Sequence, residues 1–288
     1  MCIDLHTHSL YSDGSHSPQE LVALGVQNNL QCLALTDHDT VEGVTAMLQY
    51  GQEHSLHVIS GVEISTILRE HTVHILGYGF DVASTTLLNW LRPLQNGRAM
   101  RNQAILAKLH GLGIDISENE LLAVSGHGQT GRPHFARLLV ERGVVNNFDE
   151  AFNQYLGRHK LAWAPRFSYS TSEAIAMIHQ AGGIAVLAHP GMLHPDIRVI
   201  AALVQEMVTQ GLDGLETYYP AHSRQLRLKL INLAKHYGLL VTGGSDFHGL
   251  TRPAHPLAHK KSGFCPPASL LPPLLAALAE KHATGRSN

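Results

Sequence analysis

Nothing in this chain is built to cross a bilayer. No apolar run approaches the ~20 residues that a membrane-spanning helix requires, and the N-terminus lacks the basic, apolar and small-residue series of a secretory signal. Cationic blocks are missing as well. Lys and Arg number 21 against 23 Asp and Glu, a net charge of −2 with histidine neutral. Long duplex DNA, which is gripped through many phosphates, is therefore a poor partner. A short phosphorylated substrate remains open, because metal ions can supply the positive charge. Cysteine is scarce: Cys2, Cys32 and Cys265 form no C-x-x-C pair. That usage fits reduced thiols in a cytoplasmic protein better than a disulfide scaffold. There is no G-x-S-x-G elbow, no base beside a cysteine in sequence, and no Gly-rich dinucleotide loop.

What is present is histidine, in 21 copies, as many as Lys and Arg together. The 288 residues, 44% of them hydrophobic, suffice for one large α/β domain or a barrel with an appendage. Short apolar runs at about 2–5, 32–35, 58–64 and 73–78 read as strands. Between them, Ser17, Pro18 and Glu20 open a helix running toward Asn29, and a second covers about 41–54. The rhythm of strand and helix argues for parallel βα units. It breaks from Thr85 to about Pro165, where the patterns are helical, with a capping box at Ser117 and Glu120 and Pro133 at a helix start. Beyond this insertion the rhythm returns. Ser170 or Ser172 starts a helix that stops at Gly182-Gly183, strands follow at about 184–188, 214–217 and 239–242, and helices at about 196–210 and 222–237. A Cys265-Pro266-Pro267 link leads to a last helix near 270–282.

Almost every strand is followed at once by acid or imidazole. The first gives His6, His8 and Asp13, the second Asp37-His38-Asp39, the third Glu63, the fourth His74, the fifth His189, and the seventh Asp246 and His248. Period-two geometry puts His6 and His8 on one side of an extended segment. In a βα barrel the carboxyl ends of the strands converge on one face. Six imidazoles and three carboxylates from distant segments would meet there. That exceeds the ligands of one ion and points to a site of two or more, with Glu63 the natural bridge, because a carboxylate spans two cations and an imidazole nitrogen does not. The mixed nitrogen and oxygen set without thiolate suits Mn, Fe or Zn. The expected chemistry is hydrolysis by metal-activated water.

The motifs His6-Thr7-His8, Ser12-Asp13-Gly14, Thr36-Asp37-His38, Gly61-Val62-Glu63, His74, Ala188-His189-Pro190 and Ser245-Asp246-Phe247-His248 resemble those of the polymerase-and-histidinol-phosphatase (PHP) family of metallophosphoesterases, in the family's order. The resemblance implies a distorted seven-stranded (β/α) barrel with a trinuclear centre, formed by residues 1–84 and 166–288, with 85–165 as an all-helical insertion. It implies three divalent ions, Mn2+ first and Fe2+ or Zn2+ as alternatives. His6, His8, Glu63 and Asp246 would hold the first, Glu63, His74 and His189 the second, and Asp13, His38 and His248 the third.

Within the family, the stretches 96–101 and 131–137 are similar to those of bacterial 3′,5′-nucleoside bisphosphate phosphatases, which also act as 5′-to-3′ exoribonucleases on short 5′-phosphorylated RNA. A nucleotide with two phosphates needs cations away from the metals, and guanidinium binds phosphate in bidentate fashion. Arg98 and Arg101 share a helix face. Arg132 stands at a helix start, where backbone N–H groups attract anions, and His134 adds a donor. The expected activity is removal of the 3′-phosphate from a pAp-like nucleotide and stepwise release of 5′-nucleotides from short RNA. The proton for the leaving ribose oxygen is left open between His222, Asp37 and metal-bound water. Rival readings are a histidinol-phosphate phosphatase, which leaves the arginines unexplained, and a non-catalytic PHP scaffold, against which the complete ligand set counts. Tyr218, Tyr219 and His222, after the sixth strand, either stack on a base or pack the rim.

Overall fold

Capped helices alternate with short apolar strands along most of the chain, as their patterns require. The computed structural model describes residues 1–126 and 128–285. In order the elements are β1 (Cys2–Thr7), α1 (Pro18–Gln27), β2 (Leu30–Leu35), α2 (Val44–Glu53), β3 (His57–Leu68), β4 (His71–Tyr78), α3 (Thr85–Gly111), α4 (Glu118–Ser125), α5 (Arg132–Glu141), α6 (Phe148–Ala151), β5 (Tyr169–Ser170), α7 (Thr171–Gln180), β6 (Ile184–Leu187), α8 (Ile197–Thr209), β7 (Gly214–Tyr218), α9 (Arg224–Tyr237), β8 (Leu240–Gly243) and α10 (Leu271–Gly285). Ser17 with Glu20, Ser117 with Glu120 and Ser170 with Glu173 each close a reciprocal capping box, a cap worth ~1 kcal/mol at each start.

The sheet runs β1-β2-β3-β4-β6-β7-β8, with β5 beside β3. Its neighbours are parallel except at β4, which is antiparallel to both β3 and β6. This departs from the all-parallel expectation for a simple reason. β3 and β4 are longer than their apolar cores suggested, and only Arg69 and Glu70 separate them. A link that short closes a hairpin, whereas a parallel return needs a dozen residues or more. Arg69 makes the turn at φ 54°. At the far edge, Thr7 bridges Phe247, and His8 N–H donates to the Phe247 carbonyl at 2.9 Å. The segment after β8 thus meets the end of β1.

Both faces of the sheet are buried. Ile3, Leu5, Cys32, Ala34, Leu76, Tyr78, Ile184 and Val186 form one cluster with Leu271, Leu274 and Leu278 of α10. The opposite residues, such as Leu33, Leu35, Val62, Ile64 and Ile75, pack with α1, α2, α7 and α8. Alternation then aims the site. Glu63 lies on the face of Ile59, His74 on that of Leu76, and His38 in line with Cys32 and Ala34. β1 reaches the same face through a break in its register with β2 between Asp4 and Thr7, of the kind that re-aims side chains beside active sites.

The first half of α3 belongs to the main core through Leu87, Leu91 and Leu94. Its second half joins a separate cluster that includes Ile105, Leu109, Leu121, Phe135, Leu139 and Leu156. The helical stretch therefore has its own apolar centre.

The cysteines correct an expectation. Cys2 and Cys265 form a disulfide, and only Cys32 is free and buried. Ile3 N–H donates to the Pro266 carbonyl at 3.0 Å, and Cys2 bridges Pro267. This pairing sets the two cysteines side by side across 263 residues of chain, a distance at which spacing gives no signal. Among the described residues no helix is long and apolar enough to cross a membrane.

Candidate metal centre

All nine residues expected at the strand ends meet at one place. Glu63 is at the middle, 1% exposed. Its Oε1 lies 2.8 Å from His74 Nδ1 and 3.0 Å from His189 Nε2. Its Oε2 lies 2.9 Å from His38 Nδ1, 3.3 Å from His8 Nε2 and 3.4 Å from His6 Nε2. Asp246 Oδ1 stands 3.2 Å from His8 Nε2, and Asp13 Oδ1 stands 3.3 Å from His248 Nε2. Three overlapping groups have ligand atoms within 4.8 Å of one another: His6, His8, Glu63 and Asp246; His8, Asp13, His38 and His248; and His38, Glu63 and His74.

These residues fit divalent cations by what they leave unsatisfied. His6 Nε2, His8 Nε2, Asp13 Oδ1, His38 Nδ1, Glu63 Oε2 and His189 Nδ1 are buried with no hydrogen-bond partner among the described residues. Buried polar atoms are normally paired, and leaving one orphaned costs several times a surface contact. Five of these atoms, all but His189 Nδ1, belong to residues of the three overlapping groups and form a set that cations would satisfy. Burial opposes ionisation of Glu63, Asp13 and Asp246, but the surrounding imidazoles hold all three well below the usual carboxylate range. Burial takes His38 down to about 4, against the pull of Glu63 and Asp13, and so leaves it the neutral form that ligates.

The backbone is bent to serve this cluster. His189 and Asp246 hold left-handed φ values of 29° and 54°. Such conformations are costly outside glycine and concentrate at functional sites. Gly244 is needed for proximity: a Cβ there would lie 2.3 Å from the Cβ of His6.

Supporting residues were not among those expected. Glu216 in β7 is fully buried and accepts from His6 Nδ1 at 3.0 Å and from the His189 N–H at 2.7 Å. A carboxylate only accepts, so His6 carries a proton on Nδ1, which leaves Nε2, aimed at the centre, as the nitrogen that a cation would take. Asp4 accepts the N–H groups of Ser245 and Ala258 at 2.8 Å each and fixes the loops after β8. Burial pushes its carboxyl up to about 6 despite these bonds. Tyr219 donates to Asp246 Oδ2 at 3.0 Å, and Arg252 pairs with the same oxygen. The signal for Glu216 and Asp4 was an acid inside a short strand.

The two proposed proton donors are otherwise engaged. Asp37 is fully buried, accepting from Ser9 N–H, Ser9 Oγ and Ser12 Oγ at 2.7, 2.5 and 2.6 Å. His222 donates from Nδ1 to the Thr217 carbonyl at 2.9 Å and accepts the Gly191 N–H on Nε2 at 3.1 Å.

The arginines divide. Arg98 is neutralised, its guanidinium 2.6 Å from the buried Asp39, which also takes Arg166 at 3.2 Å. Burial would raise Asp39, yet these two cations hold it down to about 2. Arg101 is 5% exposed, bonds the Asn102 side chain, and leaves Nε without a partner among the described residues. Arg132 bonds the Leu156 carbonyl at 3.2 Å. His134 is buried and accepts the Gly131 N–H at the start of α5. Arg101, Arg132, Arg158 and Arg166 line a cavity of about 270 Å³ that reaches His74. Arg158 and Arg166 were not among the expected residues, because folding, not spacing, brings them to this cavity.

A mixed α/β fold whose strand ends gather imidazole and carboxylate around orphaned lone pairs has the architecture of a metal-dependent hydrolase. The chain belongs to the PHP domain family, whose model matches residues 4–164. It is 34% identical over 247 residues to the 5′-3′ exoribonuclease Rnm of Salmonella typhimurium, covering 85% of this chain and 84% of that one. It is 33% identical to the 3′,5′-nucleoside bisphosphate phosphatase of Chromobacterium violaceum, over 85% of this chain and 87% of the other. A solved Chromobacterium violaceum structure, described as an amidohydrolase with bound sulfate and no metal, superposes with a TM-score of 0.85 at 30% identity, covering 98% of this chain and 97% of that one.

Proposed function

We propose that this chain hydrolyses the 3′-phosphate of nucleoside 3′,5′-bisphosphates, and that the same centre releases 5′-nucleotides one at a time from the 5′ end of short RNA. The observation that carries this reading is the shared wall: His74 lines both the metal cavity and the arginine cavity. A substrate with two phosphates has one place for each. In this reading residues 85–165 are a substrate-binding arm on the barrel formed by the rest.

His6, His8, Glu63 and Asp246 would hold one ion, Glu63, His74 and His189 a second, and Asp13, His38 and His248 a third, with manganese our first choice. When bound, such ions supply an ionised water near neutral pH and neutralise the phosphoryl oxygens. The chain's own residues do the rest. Glu216 fixes the ring of His6, and Tyr219 and Arg252 fix Asp246. Asp39 holds Arg98 and Arg166, so that Arg101 and Arg132 face the cavity already in place. Burial and the neighbouring guanidinium groups disfavour the charge on Arg101, which makes an incoming phosphate dianion its natural partner. The 3′-ester bond is then presented to the centre whether the phosphorus carries a hydroxyl or the next nucleoside. Histidinol phosphate has a single phosphate and would leave the arginine cavity unused.

Phosphate release with Mn2+ from pAp and histidinol phosphate, beside nucleotide release from a 5′-phosphorylated trinucleotide, tests the reading. Turnover of pAp and the trinucleotide is expected. Activity on histidinol phosphate alone would replace it, and silence on all three would favour a scaffold. Elemental analysis should find about three ions per chain, falling sharply in Glu63→Ala.

A further inference from the structure

We propose that Phe148 and Phe152 of the arm, with Met192 of the barrel lining the same cavity, form a stacking site for the base of the substrate; this rests on the nucleotide reading above. The metal cavity encloses about 400 Å³, too much for a phosphate alone, and its walls above the ligands include Pro133, Phe148, Phe152 and Met192. Phe148 opens α6, and Phe152 opens the single π-helical turn that follows it, residues 152–156. π turns appear frequently at functional sites. Four residues apart, the two rings share a face. Both pack only in part on the apolar centre of the arm and are half-buried there. The remainder of each ring lines the cavity. Met192 lines the same cavity and is 56% exposed. A thioether is polarisable and packs well on ring faces.

Charge decides which end of the substrate goes where. Arg132 lines the arginine cavity and sits 5.7 Å from the centroid of the Phe152 ring. Phe152 thus lines the metal cavity while its ring touches a guanidinium of the arginine cavity. Between the two phenylalanines, Asp149 adds a carboxylate, exposed and lining the same cavity. A carboxylate there repels phosphate, so the phosphates belong at the ions and the arginines. The remaining part, flat and uncharged, falls to the phenylalanines. Every base has a π face, so the site should demand a base while choosing weakly among bases. That suits an enzyme taking residues off RNA in turn.

The test compares equilibrium binding of AMP and of ribose 5-phosphate by calorimetry, with Mn2+ present. The proteins are the wild type, Phe148→Leu, Phe152→Leu and Met192→Ala. Leucine keeps the arm's apolar contacts, and Met192 lies outside the arm. In the wild type AMP should bind about tenfold more tightly, or better, than ribose 5-phosphate. The margin should shrink to about threefold or less in each variant, with ribose 5-phosphate unaffected. Equal binding of the two ligands by the wild type, or an undiminished margin in all three variants, overturns the stacking site. Turnover of pAp is read separately. A retained margin without turnover would discard the catalytic reading and keep the site, whereas turnover without a margin would do the reverse.

Discussion

Exchanging Glu216 for glutamine alters one atom of a residue that touches no proposed substrate, yet it should loosen the metal centre. Glu216 accepts two protons at once, from His6 Nδ1 and from the His189 backbone. Glutamine offers one acceptor and one NH2 group. The His189 N–H can only donate, so the amide oxygen must face it. The NH2 group then confronts His6 Nδ1, which must become an acceptor. That moves the imidazole proton to Nε2, where it occupies the lone pair aimed between Glu63 and Asp246. The variant keeps the shape and spoils the tautomer. Outer-shell changes of this type cost ~10–100-fold in metal affinity, or ~1.4–2.7 kcal/mol. His6 belongs to one of the three groups of ligand atoms, so one ion should weaken and the others persist. The assay is titration of stripped protein with Mn2+, followed by elemental analysis after dialysis at graded concentrations. Unfolding without metal controls for general damage and should shift little, while the added stability at fixed excess metal should fall by about the same 1.4–2.7 kcal/mol. Wild-type affinity at every site in Glu216→Gln would refute the reasoning, since the tautomer would then not be set by this carboxylate.

Two further changes probe the frame. Cys2→Ser or Cys265→Ser removes a crosslink spanning 263 residues, and should lower stability to urea by ~2–4 kcal/mol; a matching loss on adding dithiothreitol to the wild type, and none in the variants, completes the check. Asp213 joins β6 to β7 by accepting the Ala185 N–H and His179 Nε2, both at 2.7 Å, with Lys281 at 3.4 Å. Burial opposes its ionisation, but His179 and these bonds hold its carboxyl below the usual value. A depressed folded pKa stabilises above the unfolded pKa of ~3.9 and is lost as pH falls through the folded value. Asp213→Asn should therefore be less stable than the wild type by ~1–2 kcal/mol at pH 7, and the gap should close toward pH 3. Urea curves that stay equally far apart at both pH values would assign the loss to packing alone.

How much of this was readable beforehand depended on the range of each signal. The strand-end clusters are short patterns, His6-Thr7-His8 or Asp246-Phe247-His248, in which ligand type and strand end occur within a few residues. They located the centre. The hairpin of β3 and β4 was hidden because both strands extend past their apolar cores, so that the stretch from Ser65 to Thr72 looked like a connection. The disulfide was hidden by distance along the chain. Asp4, between Ile3 and Leu5, and Glu216, after Leu215, carried a local signal, an acid inside a short strand. Burying a carboxylate demands partners, and that demand was there to be read.

The arginines mark where spacing stops deciding. Arg98 and Arg101 are three residues apart on α3, and both are buried. Their electrostatic states are nonetheless opposite. α3 packs so that Arg98 meets a carboxylate delivered by the turn after β2, where Asp39 takes a left-handed φ of 56°. Arg101, one turn further, feels Asp39 only at longer range and, among the described residues, keeps a buried Nε unsatisfied. A buried cation with a partner is structure, and a buried cation without one is an unfilled demand for an anion. That difference depends on how α3 meets the turn after β2. It exists only once both have folded against each other.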